Sequence, residues 1–482
     1  MPKSSMVNGA GCFALLALLG CPLGSGLLAQ RAVSVAGQPE SGAALRRRAV
    51  WHGMIAPLGG DSGAVVHRIE SSSPAARAGL QAGDRLVALN GTPVLSSDAF
   101  WPTYRRLRGG DTVRVRVLRA KAGAIRADTF DIRFVLDSAA HEQIPGTVTT
   151  YGAIRSERGY LLRTLVSRPE HAAAGRLPAV LFIPWLSCDP VEKPDPGNDG
   201  FAHMLRAVAA GAGMVMMRVE KPGLGDSQGP DCSVGGLDDE MAAPRAGLRA
   251  LRTMPGVDPR RIFVMGGSIG GGLAPILAAA EPQGIAGVIA VSGFTRTWYE
   301  HMLEIERRRL TLSGSSPAQV NSAMRGFAQF YTDYLMGGRT PEQVLAARPE
   351  LRSLWYDEPT RQYGRPAAYY QAVQRLDVEA AWGALAERGI PALVVWGEFD
   401  WIMGRAEAER AVEIVNARKP GLAQLVVLAK TDHSLMAYAS IAAAFTDEGP
   451  RNDGGAGRAI TAWLRERAAH ADRTSAPGSR GR

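Results

Sequence analysis

The most constraining stretch of the chain is Arg261-Ile262-Phe263-Val264-Met265-Gly266-Gly267-Ser268-Ile269-Gly270-Gly271-Gly272-Leu273-Ala274. A four-residue apolar run enters it, a glycine-rich corner turns it, and apolar residues at helical spacing (Leu273, Ile276, Leu277, Ala280) leave it. A strand that passes into a helix through Gly-x-Ser-x-Gly holds Ser268 in a strained backbone conformation. Bulky residues at 266 or 270 would clash with the neighbouring strand and helix. The helix starting after Ser268 aims free amides and the positive end of its dipole at that corner. In a chain with 56 glycines the pentapeptide alone is weak evidence. The strand pattern before it, fed by an Asp258-Pro259 turn, and the helix pattern after it single it out.

This strand, corner and helix resemble those of the α/β-hydrolase superfamily, in particular its esterase, dienelactone-hydrolase-like and prolyl-oligopeptidase-like branches. The resemblance implies a Ser-acid-His order along the chain. Val394-Val395-Trp396-Gly397-Glu398-Phe399-Asp400 ends a strand pattern with Gly-x-x-Asp, where such hydrolases carry the acid, so Asp400 takes that role with Glu398 as the alternative. Thr431-Asp432-His433-Ser434 follows the last strand pattern, where the histidine belongs, and Asp432 shapes its loop. His301 falls in an inserted helical region and His470 near the end of the chain. An oxyanion hole needs two amide donors. Ile269 supplies one, and Trp185 or Leu186, in Pro184-Trp185-Leu186-Ser187-Cys188, supplies the other. Many relatives have His-Gly or Gly-Gly in that loop, and this chain departs from the pattern. Glu220-Lys221-Pro222-Gly223-Leu224-Gly225-Asp226-Ser227-Gln228-Gly229 resembles the Gly-x-Gly-x-Ser-x-Gly loop after the next strand.

At 482 residues the chain exceeds one ordinary core, so two or three domains are expected. Apolar content of 46% and charged content of 21% describe a globular protein. The net charge of +9 is spread along the chain, apart from the triplets Arg46-Arg47-Arg48 and Arg307-Arg308-Arg309. No basic stripe interleaved with aromatics is present, which argues against a nucleic-acid partner. Lys3 is followed by no charge until Arg31, and Cys12 to Gly20 is apolar, the arrangement of a secretory signal. Cleavage after Ala29 and lipoprotein processing at Cys21, in Leu18-Leu19-Gly20-Cys21, both remain open. Either route predicts an exported, periplasmic or secreted protein. Cys188 and Cys232 would then remain in the mature chain, and two cysteines in an oxidising compartment suggest one disulfide. Such a bond would tie the oxyanion loop to its neighbour. Neither cysteine lies in a metal-ligand spacing, and no cofactor is implied.

The predicted organisation is a signal peptide over 1–29, a linker over 30–48, a β-rich module over 49–137, a hydrolase-like domain over 147–468 and a disordered tail over 469–482. Ser73-Pro74-Ala75-Ala76-Arg77-Ala78-Gly79-Leu80-Gln81-Ala82-Gly83-Asp84-Arg85-Leu86-Val87-Ala88-Leu89-Asn90-Gly91 carries a resemblance to PDZ domains. A short helix capped by Ser73 and begun by Pro74 is followed by a Gly83-Asp84 turn and a strand ending at Asn90-Gly91. The resemblance implies an extended peptide or a C-terminus bound beside a loop near Gly53, Met54 and Ile55. The plainer alternative is a module that only packs on its neighbour. From 147 onward, strand patterns alternating with helix patterns predict a mostly parallel α/β sheet. Residues 294–385, rich in aromatics at helical spacing, read as a helical cap over Ser268.

The fold class expected is therefore α/β, a mostly parallel hydrolase-type sheet with a helical cap, preceded by a small β-rich PDZ-like domain. The expected activity is hydrolysis of a carboxylic ester through an acyl-serine intermediate. A peptidase of the prolyl-oligopeptidase-like or aminopeptidase type and a non-catalytic PDZ adaptor are the alternatives. The partners are a small-molecule ester or peptide, a possible peptide at the PDZ-like module, and a membrane only through a lipid at Cys21.

Overall fold

The computed structural model describes residues 39–40, 44–57, 62–120, 126–171 and 175–475. The predicted signal region, Cys21 and most of the predicted linker lie outside these residues. The larger sheet has nine strands. Their order is Pro39–Glu40, Thr147–Arg155, Leu161–Pro169, Val215–Val219, Leu177–Ile183, Val257–Gly267, Gly287–Val291, Ala392–Gly397 and Ala423–Leu428. Pairing is antiparallel through Val215–Val219 and parallel from there on. The parallel strands read as unbroken apolar runs because helices cover both faces. Within Leu177–Ile183, Leu181 and Ile183 face the layer of helices Leu237–Thr253 and Ile269–Ala280. Val180 and Phe182 face helices Gly200–Gly211 and Ala456–Ser475. This alternation follows from the two-residue period of a strand.

The smaller sheet is ordered Gly53–Pro57, Ala64–Ile69, Arg85–Leu89, Thr112–Arg119 and Asp128–Val135, with Thr92–Pro93 paired to Arg85–Leu89. Val113, Val115 and Val117 enter its core beside Trp51 and Phe100, while Arg114 and Arg116 alternate outward to Asp131. Ser73 Oγ accepts the Ala76 N–H at 3.1 Å, capping helix Pro74–Arg77. Gly53–Pro57 pairs only with Ala64–Ile69, so among the described residues its outer edge is open.

Three sequence expectations need correction. The predicted linker is not a free tether at its end: Pro39–Glu40 adds an edge strand to the hydrolase-type sheet. Arg47 reaches Glu192 at 2.9 Å and Asp226 at 2.7 Å, and Arg48 reaches Glu192 at 3.2 Å. Charged partners far away in the sequence order a segment that has no periodicity of its own. The predicted tail is helical through Ser475, because 462–475 is rich in Ala, Arg and Glu and meets no proline until 477. The predicted cap is too long at its end, since Val378–Glu387 packs along Ile269–Ala280 as a core helix.

The remaining cap elements include helices Trp298–Leu312, Pro317–Tyr331, Pro341–Ala347 and Ala367–Gln374, with a hairpin of Arg361–Gln362 and Arg365–Pro366. Arg361 of this hairpin pairs with Asp98 of the smaller module, and Arg105 pairs with Asp231 at 3.0 Å. The PDZ-like module is thus seated on both the cap and a loop of the larger domain. Among the described residues no helix is long and apolar enough to cross a membrane.

Candidate active site

Strand Val257–Gly267 enters the corner and helix Ile269–Ala280 leaves it. Ser268 between them has φ 56° and ψ −124°, a conformation that costs a non-glycine residue free energy and that the surrounding structure must enforce. A Cβ at Gly266 would collide with the backbone of Gly270, and one at Gly270 would collide with the carbonyls of Ile183 and Pro184. Glycine at both places lets strand, helix and the Pro184 loop meet at one point.

The side chain of His433 comes from the loop after Ala423–Leu428, and that of Asp400 from the loop after Ala392–Gly397. His433 Nε2 lies 3.0 Å from Ser268 Oγ, and His433 Nδ1 lies 2.9 Å from Asp400 Oδ2. Asp400 is buried, and its other oxygen accepts the N–H groups of Ile402 at 3.0 Å and Met403 at 2.8 Å. Those two bonds leave Oδ2 free to orient the imidazole. Glu398 instead accepts the Lys430 N–H at 2.8 Å, and among the described residues the hydrogen-bond partners of the His433 ring are Asp400 and Ser268. Asp432 accepts the Ser434 hydroxyl at 2.7 Å and the Met436 N–H at 2.9 Å, which fixes the turn that carries His433. Burial opposes protonation of His433, but the charges of Asp400 and then Asp432 outweigh it and raise its pKa above the ordinary imidazole value.

These groups open into a cavity of about 700 Å³ walled by Trp185, Leu186, Phe201, Trp298, Ile305 and Trp401. Ile269, Trp185 and Leu186 all reach this cavity beside Ser268. Among the described residues the N–H groups of Trp185 and Leu186 have no acceptor in the protein. The loop that carries them is tied by a Cys188–Cys232 disulfide with a Cα–Cα distance of 5.7 Å.

Two groups at the site carried no signal in the sequence. His301 lines the same cavity from the cap, and its Nδ1 is buried with no hydrogen-bond partner. Burial, then the charges of Arg308 and His433, push its pKa down to about 3, so it is neutral at ordinary pH. Arg308 bonds the carbonyls of Trp401 at 2.7 Å and Ile402 at 2.8 Å, fastening the cap to the Asp400 loop. Both reach the site from residues remote along the chain, which no local motif announces.

A second cavity of about 870 Å³ lies between the two domains. Trp51, His52 and Gly53 line it from the start of the open-edged strand, and Ser97, Trp101 and Tyr104 from helix Ser97–Arg105. Of the predicted peptide loop only Gly53 reaches this cavity: Met54 is 54% exposed and Ile55 sits in the module's core. Ser187, Asp189 and Tyr363 line both cavities. Among the described residues no group of at least three His, Cys, Asp or Glu could hold a metal ion.

Residues 42–125 match the PDZ domain family, and residues 222–439 match the alpha/beta hydrolase fold family. No curated protein sequence matches the chain. Among similar solved structures is Est1E from Butyrivibrio proteoclasticus with bound ferulic acid, 15% identical over 66% of this chain and 98% of that one, with a TM-score of 0.42. Another is an esterase of Pyrococcus furiosus, 13% identical over 68% of this chain and 91% of that one, with a TM-score of 0.41. The chain is thus a PDZ domain followed by a domain of the alpha/beta hydrolase fold family.

Proposed function

We propose that this hydrolase cleaves carboxylic esters through an acyl-Ser268 intermediate, with His433 as base and acid and Asp400 as its orienting partner. The observation that carries the reading is the relay Ser268 Oγ to His433 at 3.0 Å and His433 to Asp400 at 2.9 Å, set at a strained corner. His433 Nε2 takes the hydroxyl proton as Oγ bonds to the carbonyl carbon. The oxygen gains negative charge and is met by the Ile269 N–H and by an N–H of the Trp185-Leu186 loop. The intermediate collapses, and the alcohol leaves with the proton from His433. Water then attacks the acyl group, with His433 again taking the proton, and Ser268 is regenerated. The aromatic cavity wall suits an apolar acyl or alcohol part.

A peptide substrate is the second reading, favoured by the open strand edge of the PDZ domain and by the larger cavity adjoining the catalytic one. In this reading an extended peptide adds as a strand to Gly53–Pro57. Turnover of a panel of p-nitrophenyl esters against aminoacyl-anilides separates the two, and an active ester panel with inert anilides supports the first. We also take the protein to be exported, a reading supported by the Cys188–Cys232 bond, which an oxidising compartment sustains. Fractionation of producing cells tests it: retention of the full-length chain in the cytoplasm contradicts export.

A further inference from the structure

Two peptide units beside Asp400 illustrate how this protein aims backbone N–H groups. Asp400 accepts the Ile402 and Met403 N–H groups, while Arg308 grips the Trp401 and Ile402 carbonyls from behind. A trans peptide is planar, with its C=O and N–H pointing in opposite directions. A donor fixed on the carbonyl therefore fixes the N–H on the other side and polarises it.

The Trp185-Leu186 loop is built in the same way. Lys221 Nζ donates to the Trp185 carbonyl and lies 3.4 Å from the Leu186 carbonyl. Arg365 Nε donates to the Leu186 carbonyl at 3.3 Å, and its other nitrogens reach the Cys232 carbonyl and Glu240. Both side chains are buried, at 3% and 2% exposure, and Glu240 lies 3.0 Å from Lys221 as a shared counter-charge. The peptide unit gripped by Lys221 carries the Leu186 N–H, and the next carries the Ser187 N–H. Among the described residues neither N–H has an acceptor in the protein, and both residues line the Ser268 cavity.

We propose that Lys221 and Arg365 are positioning residues of the oxyanion hole. By holding the Trp185 and Leu186 carbonyls from behind, they make the Leu186 N–H, rather than that of Trp185, the donor that joins Ile269. Arg365 belongs to the cap hairpin, so seating of the cap completes the donor loop. This rests on the acyl-Ser268 reading.

The test uses the full chain and its Lys221→Met, Lys221→Arg and Arg365→Lys variants. Readouts are p-nitrophenyl ester kinetics, thermal midpoint and affinity for a boronic acid that forms a tetrahedral adduct on serine. Lys221→Met is expected to lower kcat about 100-fold with KM within about twofold, and to weaken the boronic acid by a similar factor. Lys221→Arg restores most of the loss. Arg365→Lys lowers kcat about fivefold to tenfold. An unchanged kcat in folded Lys221→Met overturns the proposal, as does a loss of kcat without loss of boronic acid affinity. If Lys221→Met does not fold, Arg365→Lys decides by the same criteria. A wild-type protein that takes no fluorophosphonate at Ser268 defeats the underlying acyl-serine reading instead, which keeps the two failures apart.

Discussion

The two cavities share Ser187, Asp189 and Tyr363, yet they are built on opposite plans. In the catalytic cavity each reactive group is held by backbone: a strained corner for Ser268, two amides for Asp400 and a bonded turn for His433. The interdomain cavity touches the open-edged strand only at its first residue, Gly53, and has Trp51, Trp101 and Tyr104 along its wall. Its Arg105 and Arg361 are already paired across the domain junction with Asp231 and Asp98. Bond-making is sensitive to displacements of an ångström, so it demands locked geometry. Recognition of an extended ligand needs free backbone groups and ring faces instead. On the proposed reading, chemistry belongs to one cavity and selection of the substrate to the other.

The sharpest way to break that division is Ser268→Ala. Ester turnover is expected to fall by about 10⁶-fold, while binding of a labelled peptide at the PDZ domain stays within about twofold. Peptide binding that vanishes with the hydroxyl would mean the cavities act as one. Asp400→Asn comes next, with a loss of about 10⁴-fold in kcat. It also moves the pH profile. His433 must be neutral to take the serine proton, and its raised pKa puts the acid limb of kcat/KM above the ordinary imidazole value. Activity therefore rises as pH increases through that limb, and removing the Asp400 charge shifts the limb to lower pH.

The sequence spoke clearly about the catalytic cavity and poorly about its surroundings. Ser268 lies in a local motif whose steric demands fall on its own neighbours, and Asp400 and His433 follow strand patterns in a fixed order. The two-domain plan was readable too, because Ser73 to Gly91 combines a cap, a stop and a turn at set offsets. Arg308, Lys221, Arg365 and His301 gave no such sign. Each acts on a carbonyl or cavity remote along the chain, as Arg365 does on Leu186 and Arg308 on Trp401. The Pro39–Glu40 strand was hidden for the same reason: its order comes from pairing with Thr147–Arg155, not from its composition.

Smaller effects sharpen the comparison. The Cys188–Cys232 bond closes a span of 44 residues, and Cys188 lines the interdomain cavity while its loop carries the proposed donor to the catalytic one. Cys188→Ser with Cys232→Ser is expected to cost about 2–4 kcal/mol of stability in denaturant titrations. Equal stability with and without reductant would show that the bond carries no such load. Trp101→Ala removes a ring from the larger cavity alone. It is expected to raise KM about tenfold for a substrate long enough to enter both cavities. Its kcat on a short acetate ester should stay within about twofold of wild type. An equal loss on the short ester would erase the distinction.

The most direct measurement is mass spectrometry of the intact protein after a fluorophosphonate probe, with the modified peptide sequenced. One adduct is expected, on Ser268, that disappears in Ser268→Ala and forms far more slowly in Asp400→Asn. No adduct on the folded protein, or one that persists in Ser268→Ala, would contradict it.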